Sequence, residues 1–126
     1  LDLSDNDGFE FNGGTNMIFE GLAKNSKLKT LYYLSNSMHD VKGLVKALQK
    51  NETLENLNIG HNLLSEIQAE QILNALQNNK TLISLGLDGQ GDLHDIDESE
   101  VEEPGISDYT LHNICTILER NYILKL

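Results

Sequence analysis

Apolar residues along the chain follow two alternating spacings. Short stretches with period two, the spacing of a half-buried strand, are each followed by a longer stretch with helical spacing. Leu57-Asn58-Ile59 puts Leu57 and Ile59 on one face and Asn58 on the other, and Leu1-Asp2-Leu3 and Leu85-Gly86-Leu87 do the same. In Leu31-Tyr32-Tyr33 the second inward position falls to Tyr33. The helical sets run at i, i+3, i+4 and i+7: Thr15, Ile18, Phe19, Leu22; Val41, Leu44, Val45, Leu48; Ala69, Ile72, Leu73, Leu76; and Leu111, Ile114, Cys115, Leu118. Helix starts are predicted at Asp40, at Ser65 with Gln68 completing a capping box, and at Ser107.

Between helix and strand the phrase Asn-x-x-Leu-x-x-Leu recurs, beginning at Asn25, Asn51 and Asn79, with a degraded copy at Asn121. The asparagines are 26, 28 and 42 residues apart, and a period near 28 marks a repeat array. These asparagines are expected to end each helix in the left-handed conformation. A second series, Asn6, Asn36, Asn62 and Gln90, stands five residues past the first strand leucine of each unit. A buried amide there is expected to bond loop backbone groups that would otherwise lack partners. The unit is strand, loop, helix, turn. Neither half buries its apolar face alone, so stacked units share one core.

The pattern Leu-x-x-Leu-x-Leu/Ile-x-x-Asn followed by a full helix resembles the ribonuclease-inhibitor-like class of leucine-rich repeats. The resemblance implies an α/β fold: a right-handed β-α solenoid of about four repeats, with parallel strands on the concave face and helices on the convex face. It covers residues 1–126 as a single leucine-rich repeat domain, with repeats at about 1–27, 28–53, 54–81 and 82–123 and an acidic insertion at about 91–105.

Composition narrows the partners. Nine Lys plus Arg stand against 20 Asp plus Glu, a formal charge of −11. That argues against nucleic acid, whose phosphates need clustered Lys and Arg, and against anionic membrane, and it favours a basic protein partner. The one cysteine, Cys115, falls on the helical stripe and is expected to be a small core residue; no disulfide can form within the chain, which fits a reducing cytoplasm. The chain opens in mid-pattern at Leu1 and stops in mid-pattern at Leu126. A fragment of a longer array is therefore expected, with uncapped ends able to associate end to end.

Two surfaces stand out as candidate sites. Alternation places Asp2, Ser4, Thr30, Tyr32, Leu34, Asn56, Asn58, Gly60, Ser84, Gly86 and Asp88 on the open face of the sheet, rimmed by Asp5, Ser35, His61 and Gly89. Most are small or polar. Tyr32 and Leu34 are not, and tyrosine anchors interfaces because it covers much area at low entropy cost. The partner-binding set is Tyr32, Leu34, Asn56, Asn58, His61 and Asp88. The second surface is the insertion, with Asp92, Asp95, Asp97, Glu98, Glu100, Glu102 and Glu103; the run repels itself and is expected to be a mobile loop able to meet a basic partner.

No catalytic, cofactor or metal signature is present. Counting from Asp88 puts Leu93 where an EF-hand needs glycine and Ser99 where it needs glutamate. His94 has no second histidine or cysteine at zinc spacing. In Gly89-Gln90-Gly91, His94 occupies the place of the third glycine of a dinucleotide fingerprint. The sequons at Asn51 and Asn79 coincide with the repeat's own turn and read as structural.

The leading functional reading is a non-enzymatic protein-interaction module. The stretches Ala47–Ile59 and Ile117–Leu126 resemble the leucine-rich domain of tropomodulin, which implies, as a second reading, an actin-filament regulator. That family is basic toward its end and has a shorter last repeat; this chain departs in both. The array is also similar to the Ran GTPase-activating protein and to innate-immune sensor domains, which implies a regulatory role. Its asparagine-rich, tryptophan-free composition suits an AT-rich genome, including that of an intracellular bacterium delivering an effector into a host cytoplasm.

Overall fold

The computed structural model describes residues 1–6, 8, 13–90 and 105–126; the acidic segment lies outside the described residues. Helix α1 (Gly14–Lys24) is followed by β1 (Thr30–Tyr32), α2 (Lys42–Lys50), β2 (Asn56–Asn58), α3 (Glu66–Leu76), β3 (Ser84–Gly86) and α4 (Asp108–Leu124). The strands form one parallel sheet in the order β1-β2-β3, and Asp2 extends it by a parallel bridge to Tyr32. Register follows the sequence phrase: Leu31 pairs with Leu57 and Leu57 with Leu85. Consecutive helices pack on one another, α1 on α2, α2 on α3 and α3 on α4.

One core cluster joins the two layers. Leu31, Tyr33, Leu57 and Ile59 come from the strands and Phe19, Leu22, Leu44, Leu48, Ile72 and Leu76 from the helices. Phe19 meets Tyr33 edge to face at 5.1 Å. The buried Tyr33 hydroxyl is satisfied by Thr15 Oγ1 at 2.7 Å, so a polar helix position supports an aromatic strand position. The outer members of the stripes, Ile18, Val45, Leu73 and Leu118, are only partly buried against this cluster.

The second amide series does what its position suggested. Asn62 is fully buried; its Nδ2 donates to the carbonyls of Tyr33, Ile59 and Gly60, and its Oδ1 accepts the Asn36 N–H at 2.9 Å. Asn36 donates to the Leu3 and Leu34 carbonyls and accepts from the Asn6 N–H. Gln90 accepts from the Asn62 and Leu64 N–H groups and donates to the Ile59 carbonyl. Each amide thus ties its own turn to the one before it.

The turns that hold these amides are tight. Ser35 and Ser37 flank Asn36, and His61 and Leu63 flank Asn62; all four have φ between 51° and 58°. This is the left-handed region, which costs a non-glycine residue on the order of 1–3 kcal/mol. The amide bonds hold the turn there.

The other asparagine series corrects the sequence reading. Asn25 and Asn51 are extended, with ψ of 132° and 129°, not left-handed, and Asn121 lies inside α4, three residues before its end. Asn51 and Asn79 act as clamps. Asn51 Oδ1 accepts the Thr53 and Leu54 N–H groups while its Nδ2 donates to the Leu22 and Asn25 carbonyls. Asn79 repeats this with Thr81, Leu82 and the Leu48 carbonyl. An extended backbone lets one amide cap its own turn and reach the preceding one, which a left-handed residue would point away from. Both amides are buried and occupied.

A second correction concerns Cys115, which is exposed. In α4 the buried stripe is Thr110, Ile114, Ile117 and Asn121, rotated from the expected Leu111, Ile114, Cys115, Leu118. Two polar anchors set that rotation. Asn121 donates to the Leu82 carbonyl, and Thr110 donates to Glu66.

The helix starts are close to expectation. Ser65 and Gln68 form the full capping box, and the Ser107 hydroxyl accepts the Thr110 N–H. Asp40 accepts the Lys42 N–H one residue ahead of the assigned α2 N-cap, Val41. Glu66 ties α4 to α3: its carboxylate accepts the Ser107 N–H and hydroxyl, both at 2.7 Å, as well as the Thr110 hydroxyl.

The Thr110 and Ser107 bonds hold the Glu66 carboxyl below its ordinary value of 4.5. A carboxyl lowered in the folded state adds stability that is present above its unfolded pKa and is lost as pH falls through the folded one. The expected outcome is that the urea midpoint falls on acidification from about pH 6 to about pH 3, and that Glu66→Gln shows a smaller fall than the wild type. Equal falls in the two proteins would remove Glu66 from the acid response.

Candidate functional site

The helices cover one face of the sheet. The other is open and forms a shallow concavity of about 410 Å³ lined by Thr30, Leu31, Tyr32, Asn56, Leu57, Asn58, Ser84, Leu85 and Gly86. Parallel register sets its side chains in two rows, Thr30-Asn56-Ser84 and Asp2-Tyr32-Asn58-Gly86. Strand alternation puts both rows on the same side, as the sequence indicated.

Tyr32 stands in the middle of its row and is 46% exposed. Asp2 pairs with it on one side and Asn58 on the other. Leu34, expected beside it on the open face, is only half-buried surface, with the Ser4 hydroxyl on its backbone N–H. Asn56 donates to the Thr30 hydroxyl at 3.4 Å, and Asn58 Oδ1 accepts the Gly60 N–H at 3.0 Å. Gly60, expected to face outward, is buried. A Cβ there would meet Asp88 Oδ1 at 2.7 Å and Asn58 Oδ1 at 3.2 Å, so these two side chains fold over it.

His61 and Asp88 come together at the rim, with Nε2 and Oδ2 3.4 Å apart. The structure therefore gathers Tyr32, Asn56, Asn58, His61 and Asp88 around one face. The acidic set Asp92, Asp95, Asp97, Glu98, Glu100, Glu102 and Glu103 lies outside the described residues.

At the other end of the strands, Glu55 accepts from Lys29 at 3.3 Å and is 3.2 Å from Lys125. The Lys125 and Lys29 bonds hold the Glu55 carboxyl below its usual range. Sequence reading missed this cluster because Lys125 and Glu55 are 70 residues apart and nothing in the repeat phrase links them. It also missed that glycine at 86 and 89 makes room for side chains of the preceding strand. The available signal was the substitution of Gly86 for Asn58, and of Gly89 for His61, at equivalent positions.

Among the described residues, no group of three or more His, Cys, Asp or Glu side chains could hold a metal ion, and no helix is long and apolar enough to cross a membrane.

No protein-family model matches the sequence, and no curated protein matches it. Solved structures do. The actin-binding site 2 structure of leiomodin-1 superposes with a TM-score of 0.63 at 18% identity, covering 90% of this chain and 58% of that one. The tropomodulin C-terminal domain of Caenorhabditis elegans superposes with a TM-score of 0.58 at 12% identity, covering 99% of this chain and 84% of that one. The chain spans little more than half of the leiomodin structure. At these identities the likeness concerns the fold, which is mixed α/β and leucine-rich-repeat-like.

The rim of the face depends on Gly89, whose φ is 68°. A Cβ there would lie 2.1 Å from the His61 ring, so the ring rests flat on the glycine. Gly89→Ala is expected to lower stability by about 1–2 kcal/mol, from the left-handed backbone plus the displaced ring. In a His61→Ala background the same change is expected to cost less by about 0.5 kcal/mol or more, read by urea unfolding of all four proteins. Strict additivity would mean that the ring does not rest on Gly89.

Proposed function

We propose that this chain is a non-enzymatic protein-binding domain whose recognition surface is the open face of the sheet. In this reading it is a ribonuclease-inhibitor-like leucine-rich solenoid, with units at about 1–27, 28–53, 54–81 and 82–123. The observation that carries the reading is the exposed Tyr32 on a face of otherwise small, polar side chains, held in register between Asp2 and Asn58. An aromatic side chain fixed in a concavity costs little entropy when a partner covers it. No chemistry is assigned to the chain itself. The partner is a protein, basic where it meets the acidic rim, and the exposed thiol of Cys115 fits a reducing cytoplasm.

A second reading, regulation of actin filaments, is favoured by one finding: the fold neighbours are leiomodin-1 and tropomodulin domains, the first described as an actin-binding site. Much of the formal charge of −11 lies in one segment. Seven of the 20 acidic residues lie between 92 and 103, and the remaining 13 against nine basic residues leave a formal −4.

Two assays test these readings together. The wild-type chain is expected to retain a specific protein from a eukaryotic lysate, and Tyr32→Ala is expected to weaken that retention by roughly 30-fold, the size of an aromatic hot spot of about 2 kcal/mol. Actin co-sedimentation lost in the same variant would identify the partner class as actin. Equal retention by wild type and variant would place recognition elsewhere.

A further inference from the structure

Charge is unevenly divided between the two edges of the sheet. The strands are parallel and each leads into a helix that returns the chain, so strand C-terminal ends and helix N-terminal ends share one edge. That edge carries Asp5, Asp40, Glu66, Asp88 and Asp108, together with Lys42 at the start of α2. The opposite edge carries Lys24 and Lys50 in the last turns of α1 and α2, Lys27 and Lys80 in the turns, and the pair Lys29 and Lys125 around Glu55.

Tyr32 lies toward that acidic edge with a carboxylate at its side. Asp2 is its neighbour in the parallel pairing, and adjacent strands run about 4.8 Å apart. The Ser4 N–H donates to Asp2 Oδ1 at 3.0 Å, which orients the carboxyl, and the Ser4 bonds keep it ionised below the ordinary aspartate range. An ionised carboxylate has about four acceptor sites, so capacity remains for a further donor. Among the described residues, the outward positions of the face hold no lysine or arginine. The nearest cation, the Leu1 ammonium, donates to the Thr30 carbonyl at 3.1 Å. An aromatic face beside an oriented carboxylate, with no lysine or arginine on the face, is the complement of a guanidinium group. Its plane stacks on the ring while its edge donates to the carboxylate. Arginine suits this better than lysine, because its donors are fixed in a planar fork.

We infer that Tyr32 and Asp2 form a subsite for an arginine side chain projecting from a basic segment of a partner protein. The inference rests on the binding-face reading above and names the chemistry that the face selects.

The probe is acetyl-arginine methylamide, compared with its neutral isostere acetyl-citrulline methylamide, titrated into the ¹⁵N-labelled chain and followed by NMR. Arginine is expected to shift the amides of Asp2, Leu3 and Leu31–Tyr33 saturably, with a dissociation constant in the millimolar range, on the order of that for one small contact. Citrulline is expected to bind at least about fivefold more weakly, and raised salt is expected to weaken arginine alone. Asp2→Asn keeps the acceptor for the Ser4 N–H yet is expected to abolish the preference for arginine. Tyr32→Phe is expected to retain binding and Tyr32→Leu to lose it, with unchanged spectra at the buried Tyr33 and Asn62 showing that the fold is intact. Equal responses to the two probes, or no response at these amides, would overturn the subsite. If equal responses accompany partner loss in Tyr32→Ala, the subsite falls and the binding face stands. Arginine-specific shifts with no partner lost would support the subsite and count against the protein-binding reading.

Discussion

The rest of the structure depends on a buried carboxamide. Asn36 and Asn62 sit with no solvent access between turns that their own backbones cannot satisfy. Each presents its Nδ2 to carbonyls and its Oδ1 to an N–H of a neighbouring turn, so donor and acceptor are both used. Removing such a group leaves several buried backbone partners unbonded, each at about 1–3 kcal/mol, and the cost is highest where the polar group is deepest. The left-handed residues on either side, Ser35 and Ser37, His61 and Leu63, are tolerated because the amide bonds specify the turn more strongly than the backbone resists it. The apolar layer alone would leave the register of three-residue strands weakly set; the amides fix where each strand ends.

That fixed ending is what shapes the open face. With Leu31, Leu57 and Leu85 paired in one row, alternation sends Thr30, Asn56 and Ser84, and then Tyr32, Asn58 and Gly86, to the open side. The same turns set His61 and Asp88 at the rim, and Gly89 gives the imidazole a place to lie. The face is thus flat and polar toward β3 and carries its one large aromatic at β1. The parallel course of the chain gathers helix N-terminal ends on one edge and C-terminal ends on the other; Glu66 and Asp108 stand in first turns and Lys24 and Lys50 in last turns, as the helix dipole favours, while α2 begins on Lys42.

Much of this was legible in the sequence. The strand register was legible because the second leucine of each Asn-x-x-Leu-x-x-Leu phrase marks the same position in every strand. The i, i+3, i+4, i+7 sets gave the helices, and Ser65 with Gln68 gave a start. Asn36 and Asn62 were readable as buried amides because a polar residue recurred in a leucine frame. The errors came where two explanations fit the same letters. Asn25 and Asn51 close helices in sequence, but in space each caps the turn that follows it, and Asn51 also bonds the preceding turn, which an isolated repeat does not reveal. Cys115 fits the helical stripe, yet Thr110 and Asn121 turn α4 so that it faces solvent. The pairing of Asp2 with Tyr32 was readable in register, but its meaning required knowing which neighbours carried charge. The Glu66 bonds to Ser107 and Thr110 join residues more than 40 positions apart and had no sequence signal.

The most direct test of the central role of the amides is Asn62→Ala, followed by urea unfolding and native-state hydrogen exchange. The account gives a loss of about 2–4 kcal/mol, together with faster exchange at the Asn36 N–H, whose acceptor has been removed. A loss under about 0.5 kcal/mol with Asn36 still protected would contradict it, and would mean that the apolar layer alone sets the register of the face.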